Sequence, residues 1–213
     1  MKIPRTFHQI WLGRQSMPPE FLGWRKTWEA INPGWILKLW DEDSLPPSQR
    51  PDLIEKAHGY AQRSNILRYE LLCREGGVYV DTDCECLRPI EPLISDCEAF
   101  VVGKKSASPT DPPFNNSILG CVPGHPLLLS LVGRLDEVTN IGEKMTAGSQ
   151  YLTRLMAECP VPVKMIPASL MNPYNHTELK DGKPRPREDF PGAHILHHWA
   201  SKWHPTGFVK LAG

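Results

Sequence analysis

Apolar residues along the chain fall into short runs separated by Pro and Gly, and the spacing within each run names an element. Thr6, Phe7, Ile10 and Trp11 within Arg5–Leu12 read as a buried strand that Gly13 ends. Pro18-Pro19 then opens a helix, since Pro is tolerated in a first turn, and Phe21, Trp24, Trp28 and Ile31 recur at spacings of three and four. Asn32-Pro33-Gly34 stops it, and Trp35–Trp40 forms a second strand with Asp41-Glu42-Asp43 at its end. Strand, helix and strand in this order predict a parallel pair with a crossover helix. Leu45–Gly59 reads as loop and short helix. Tyr60–Glu75 holds no Pro or Gly and carries Ile66, Leu67, Leu71 and Leu72 on an apolar face, which makes it the clearest helix. Gly76-Gly77 caps it, and Val78-Tyr79-Val80 is a short strand running into Asp81.

Downstream, Phe100–Val102 and Ser117–Leu119 read as strands, Pro126–Leu135 and Ser149–Glu158 as helices, and Val161–Ile166 as a further strand. Met171–Gly192 is polar and Pro-rich, hence a long loop. His194–Trp199 is expected to be the last strand, followed by a tail. No repeat, low-complexity segment or obvious domain boundary interrupts the pattern, so a single domain over residues 1–213 is expected.

Composition narrows the class. Formal net charge is zero, with 24 basic and 24 acidic residues, so no global field draws in nucleic acid or an anionic membrane. The start of the chain lacks the apolar stretch of a signal peptide, and no run reaches the roughly 20 apolar residues of a membrane span. The expectation is a cytoplasmic protein, with peripheral attachment to the inner membrane face left open. Cys73, Cys84, Cys86, Cys97, Cys121 and Cys159 form no paired C-x-x-C, which argues against a zinc ribbon and for reduced thiols in or near the core.

The chemistry concentrates at Asp81-Thr82-Asp83. Alternate strand residues point the same way, so two carboxylates about 7 Å apart can share a hard divalent cation. Alone, D-x-D reads first as a solvated acidic turn. On the preceding helix Ser64 and Asn65 share a face with Arg68. The sharp Gly turn could bring that polar face and the acidic strand end into one pocket for a sugar, a diphosphate and a metal. The competing reading of Arg68 is a surface ion pair with Glu70 or Glu75.

Ser64-Asn65-Ile66-Leu67-Arg68-Tyr69-Glu70 followed by Gly76-Gly77-Val78-Tyr79-Val80-Asp81-Thr82-Asp83 resembles the sugar-binding region of glycosyltransferase family 32, which includes bacterial capsule transferases and fungal mannosyltransferases. Ile3–Gly13 resembles the family's opening strand. Asn116-Ser117-Ile118, Pro123-Gly124-His125-Pro126, Thr146-Ala147-Gly148 and Leu152-Thr153 resemble its middle landmarks, and His197–Trp203 its C-terminal metal segment. The resemblance implies that Trp11 stacks on the donor base, with Gln9 and Ile10 beside it, and that Asp43 contacts the nucleoside. It implies that Arg68 holds sugar or diphosphate, with Ser64, Asn65 and Tyr79 in the donor site, and that Asn116 lies near sugar and acceptor. Asp81 would reach the metal through water and Asp83 directly, a residue among His197, His198 and Ser201 would complete the coordination, and Trp203 would close over the diphosphate. From the residues alone, Trp11 reads equally as core packing, and the His pair reads first as ordinary tail residues.

Two departures stand out. The family usually has Asp at Asn65, and Asn keeps one acceptor while losing the charge. Its C-terminal block usually ends Gly-Ser-Trp, whereas this chain has Ser201-Lys202-Trp203.

The expected fold is therefore the GT-A type of α/β: a central, mainly parallel sheet flanked by helices, with D-x-D at a strand's C-terminal end. The expected reaction moves a hexose from a UDP- or GDP-sugar to a hydroxyl of a glycan or lipid-linked glycan, as in polysaccharide biosynthesis, with Mn²⁺ or Mg²⁺ and, by the resemblance, with retention. No dedicated nucleophile stands out; the leaving phosphate can deprotonate the acceptor on the same face. The alternatives are a weakened nucleotide-sugar-binding protein of the same fold and, further off, a metal-dependent phosphohydrolase. Acceptor contacts are expected from Lys104–Phe114 and Met171–Gly192.

Overall fold

The computed structural model describes residues 2–105, 112–138 and 147–202. The chain forms β1 (Thr6–Ile10), α1 (Pro19–Ile31), β2 (Ile36–Trp40), α2 (Pro51–Lys56), α3 (Tyr60–Glu75) and β3 (Gly77–Val80). It continues through β4 (Cys84–Cys86), α4 (Glu91–Ile94), β5 (Ala99–Gly103), β6 (Phe114–Cys121) and α5 (Pro126–Gly133). Last come α6 (Ser149–Ala157), β7 (Lys164–Ile166), α7 (Ala168–Met171) and β8 (Ile195–His197).

Six strands form one sheet in the order β2-β1-β3-β6-β5-β7, while β4 and β8 pair in a second, small sheet. The predicted crossover is present: β1 and β2 run parallel in register from Thr6 opposite Ile36 to Ile10 opposite Trp40, with α1 between them. β3 is parallel to β1 and β7 to β5, and β6 alone runs antiparallel to both its neighbours. The central sheet is thus mainly parallel, as expected.

Alternation along the buried strands divides the core in two. Tyr79, Val101 and Leu119 join α3, α5 and α6 through Leu72, Leu127, Leu131 and Leu152 on one face. Val78, Val80, Phe100 and Ile118 join Phe7, Trp28, Ile90 and Ile195 on the other. Between these layers α3 turns into β3 at Gly76 (φ +65°) and Gly77 (φ +87°). The Gly76 N–H caps Leu72 O at 2.9 Å. A Cβ on Gly77 would stand 2.6 Å from Thr6 O and 2.8 Å from His8 Nε2, so the turn needs glycine for its dihedral and for close approach.

Several elements differ from their sequence reading. β6 starts at Phe114, three residues before the apolar run, because the polar Asn115 and Asn116 continue the strand towards the site. Of the expected strand Val161–Ile166 only Lys164–Ile166 pairs; Pro162 cannot donate to a ladder. β4 was not anticipated. Of the expected strand His194–Trp199 only Ile195–His197 forms, and it pairs with β4 rather than joining the main sheet. The loop after Met171 is pinned by short 3-10 turns, one closed by a capping box between Asn175 and Glu178.

His8, buried beside the Gly turn, offers a pH test of this packing. Trp40 Nε1–H donates to His8 Nδ1 at 3.1 Å, so Nε2 carries the proton and donates to Gly76 O at 3.0 Å. Burial, aided by Lys38, lowers its pKa from 6.5 to about 4. The unfolded chain therefore binds more protons than the folded one between those values, and stability present above pH 6.5 is lost as pH falls towards 4. The loss due to this group is ~2–3 kcal/mol. Urea unfolding from pH 7 down to pH 4.5 is expected to give a flatter profile for His8→Gln than for the wild type; parallel profiles would refute the assignment.

Candidate active site

β3 delivers Asp81 to the C-terminal end of the parallel strands, where Asp81 N–H extends the ladder to Ser117 O at 2.8 Å. Residues 79 and 81 share a face by strand alternation, and Tyr79 Oη–H donates to Asp81 Oδ1 at 2.8 Å. Burial drives the Tyr79 hydroxyl far above its ordinary pKa, so it stays a donor. Arg68 comes down from α3 with its side chain only 4% exposed: Nη1 lies 3.2 Å from Asp81 Oδ1 and the guanidinium sits 4.3 Å over the Tyr79 ring. It also donates from Nη1 to Asn116 O and from Nε and Nη2 to Ser64 O and Oγ. The surface pairing of Arg68 with Glu70 or Glu75 is ruled out. Glu70 instead accepts from Ser48 Oγ–H at 2.9 Å and Gln49 N–H at 3.1 Å.

Asp83 is tied to the far end of the chain. His197 Nε2 stands 3.1 Å from its Oδ1, Ala200 N–H donates to its Oδ2 at 2.9 Å, and His198 N–H to its backbone oxygen at 2.9 Å. Burial raises both carboxyls, but the outcomes diverge. At Asp81 burial and the charge of Asp83 outweigh Arg68, leaving its pKa above the ordinary value. At Asp83 burial is outweighed by His197 and the Ala200 N–H together, leaving its pKa below. Burial opposes charge on His197, but Asp83 and Asp81 hold its pKa up.

The two histidines divide: His197 is the last residue of β8, and His198 lies just beyond it and turns to other partners. His197 meets Asp83. His198 stacks on Trp24 at 4.2 Å and places Nε2 3.1 Å from Glu85 Oε2, and Glu85 also pairs with Arg187 at 3.0 Å. The His197 and His198 side chains therefore do not converge on one ion here. Ser201 is exposed in a 3-10 turn next to Ala200. Cys84, which the sequence reading placed only among core thiols, lies against this corner. Its thiol, an Asp83 carboxylate oxygen and a His197 ring nitrogen are all within 4.8 Å of one another. An Asp-Cys pair facing a distant His is a metal-ligand pattern, but only the β4–β8 register, Cys84 opposite His197, reveals it.

On the sugar side, Asn116 Nδ2–H donates to Asn65 Oδ1 at 2.8 Å and Ser149 Oγ–H to Asn116 Oδ1 at 3.2 Å, forming a buried chain with Arg68 at its edge. On the nucleoside side the expected residues are more dispersed. Gln9 and Ile10 are buried, with Gln9 Oε1 accepting from Arg25 at 2.9 Å, so their side chains sit inside the layers rather than at the rim. Trp11 is partly buried, edge-on to Phe21 at 5.5 Å, and donates to Gln15 O at 2.8 Å. Asp43 is exposed and pairs with Arg14 at 3.0 Å. Trp203, Thr146 and residues 106–111 of the expected acceptor region lie outside the described residues.

Residues 18–100 match the family described as "Glycosyltransferase sugar-binding region containing DXD motif". That stretch of the chain, which includes Arg68, Asp81 and Asp83, is similar to this D-x-D glycosyltransferase region. The chain's similarity to curated relatives is distant: 27% identity over 139 residues to inositol phosphoceramide mannosyltransferase 3 of Schizosaccharomyces pombe, and 30% over 133 residues to an uncharacterized glycosyltransferase of Acanthamoeba polyphaga mimivirus. These alignments cover 62% and 59% of this chain, but only 37% and 52% of those proteins. The fold agrees. The PaToxG glycosyltransferase superposes with a TM-score of 0.58 at 16% identity over 73% of this chain and 69% of that one. A glycosyltransferase involved in glycosylation of the major capsid of PBCV-1 gives 0.54 at 13% identity over 92% and 95%. The architecture of the chain is therefore GT-A.

Proposed function

We propose that this chain is a metal-dependent hexosyltransferase that binds a nucleotide diphosphate sugar along the C-terminal ends of β1, β2 and β3. It passes the sugar, with retention, to a hydroxyl of a glycan or lipid-linked glycan. The observation that carries the reading is the pair Asp81 and Asp83, one braced by Arg68 and Tyr79, the other by His197 and Ala200 N–H.

The donor set fits a divalent cation. Asp83 offers a carboxylate held ionised, and His197 an imidazole whose buried Nδ1 has no hydrogen-bond partner among the described residues. Asp83 and His197 would hold the ion, with Asp81 beside it; carboxylate with imidazole suits Mn²⁺ better than Mg²⁺. When bound, the ion neutralises charge on the departing diphosphate. Arg68 supports the same task, because a buried guanidinium already fixed by Ser64, Asn116 and Asp81 needs no reorganisation. Asn65, Asn116 and Ser149 would orient the sugar. Trp11 and Asp43 at the ends of β1 and β2 would meet the nucleoside, Trp203 the diphosphate, and Ser201 and His198 would support the corner from outside.

No helix among the described residues is long and apolar enough to cross a membrane, so a lipid-linked acceptor would be met at a surface. Since several fungal relatives carry mannosyltransferase names, GDP-mannose is the first donor to test, followed by other GDP- and UDP-hexoses.

With Mn²⁺ and the right donor at about 100 times its Kd, the melting temperature is expected to rise by roughly 5–10 °C, the equivalent of about 2.7 kcal/mol. No shift with any donor would defeat the proposal. A shift without release of nucleoside diphosphate would favour the weakened binding protein, for which Asn65 is the motive.

A further inference from the structure

We infer that Cys84 is a metal-binding side chain of the D-x-D site, and that it gives this chain's site a preference for thiophilic divalent cations, Zn²⁺ or Cd²⁺, over Mn²⁺. The inference rests on the donor-site reading above and adds a ligand to it. Cys84 opens β4 directly after Asp83 and stands opposite His197 across an antiparallel ladder, which puts both side chains on one face. Its thiol completes the one triad of His, Cys and carboxylate groups among the described residues whose ligand atoms all lie within 4.8 Å of one another. His197 already turns its Nε2 to Asp83 at 3.1 Å, and its buried Nδ1 has no hydrogen-bond partner among the described residues.

Packing alone is the competing role for Cys84, which is fully buried beside Phe7, Trp28 and Val78. A thiol used only to fill space has no reason to meet a carboxylate and an imidazole at metal-binding range. Carboxylate with imidazole accepts Mn²⁺; adding a thiolate favours softer ions, and Zn²⁺ also exceeds Mn²⁺ in intrinsic affinity for such donors. As the sulfur–metal bond forms, the thiol proton leaves to solvent and no electrons are exchanged. A cell's zinc level would then compete with manganese for the site, so that Zn²⁺ inhibits the Mn²⁺-supported reaction.

The test is a titration of the full chain with Co²⁺ alone, read by the near-ultraviolet thiolate-to-cobalt charge-transfer band. The wild type and Cys73→Ser are expected to show the band, and Cys84→Ser and Cys84→Ala to lose it while keeping the wild-type far-ultraviolet circular dichroism. Zn²⁺ affinity, measured by competition with a chromophoric chelator, should fall about tenfold or more in both Cys84 variants. Absence of the band in the wild type, or its survival in both Cys84 variants, overturns the inference. The donor reading fails separately: no band with intact Mn²⁺-dependent donor stabilisation removes Cys84 alone, whereas a band without donor stabilisation keeps the thiol ligand and removes the donor site.

Discussion

Asp83→Ala is expected to lower the rate of Mn²⁺-dependent nucleoside diphosphate release roughly 10³-fold, equivalent to about 4 kcal/mol of transition-state stabilisation. The side chain is the one carboxylate at the site whose environment favours charge, and its removal leaves His197 without its acidic partner. It also frees Ala200 N–H, which loosens the segment after β8. Asp83→Asn separates the two effects. An amide oxygen can still accept from Ala200, but the negative charge is gone, so folding should be nearly normal and turnover nearly as low as in the Ala variant. Measuring product release and melting temperature on both variants decides the matter. Wild-type turnover in Asp83→Ala would remove this residue from the mechanism.

Gly77→Ala is expected to be among the most damaging single-methyl changes at the described glycines. The residue holds φ +87°, where a side chain strains the backbone by about 1–3 kcal/mol. Its Cβ would also meet the Thr6 carbonyl oxygen at 2.6 Å, an atom of the neighbouring strand that cannot rotate aside, adding about 1–3 kcal/mol of overpacking. The combined loss of ~4 kcal/mol is a large part of an ordinary domain's stability. Urea denaturation measures it. By contrast, a Cβ on Gly34, also at positive φ, meets nothing within 4 Å, so Gly34→Ala should cost far less. Equal losses at the two positions would show that contact with β1 is not the cause.

What could be read from the sequence was local in character. The α3 period, the Gly pair and the apolar run into Asp81 lie within some twenty consecutive residues, and each signal is carried by immediate neighbours. The β1–α1–β2 crossover was legible for the same reason. Arg68 could be nominated because helical spacing put it with Ser64, but its burial against Tyr79 depends on the depth at which α3 packs on the sheet. β4 gave no signal and β8 only the loose outline of a last strand at His194–Trp199, since three-residue strands have no measurable period and their partners are more than a hundred residues apart. The same absence hid the division of labour between His197 and His198: only the register says which one meets Asp83. The first half of β6 was hidden by Asn115 and Asn116, polar residues that a hydrophobicity pattern assigns to a loop.

The small β4–β8 sheet has a consequence for how the protein comes into being. Ala200 and Asp83 are separated by 117 positions, so the D-x-D corner is a contact of very high sequence separation. On a ribosome the six-stranded sheet has all its strands once Ile166 has emerged, some thirty residues before His197. The nascent chain can therefore bury most of its apolar surface while the D-x-D corner is still missing one wall. Completion of the D-x-D corner is then a late docking event, with the Pro-rich stretch before β8 as the tether that carries its last wall.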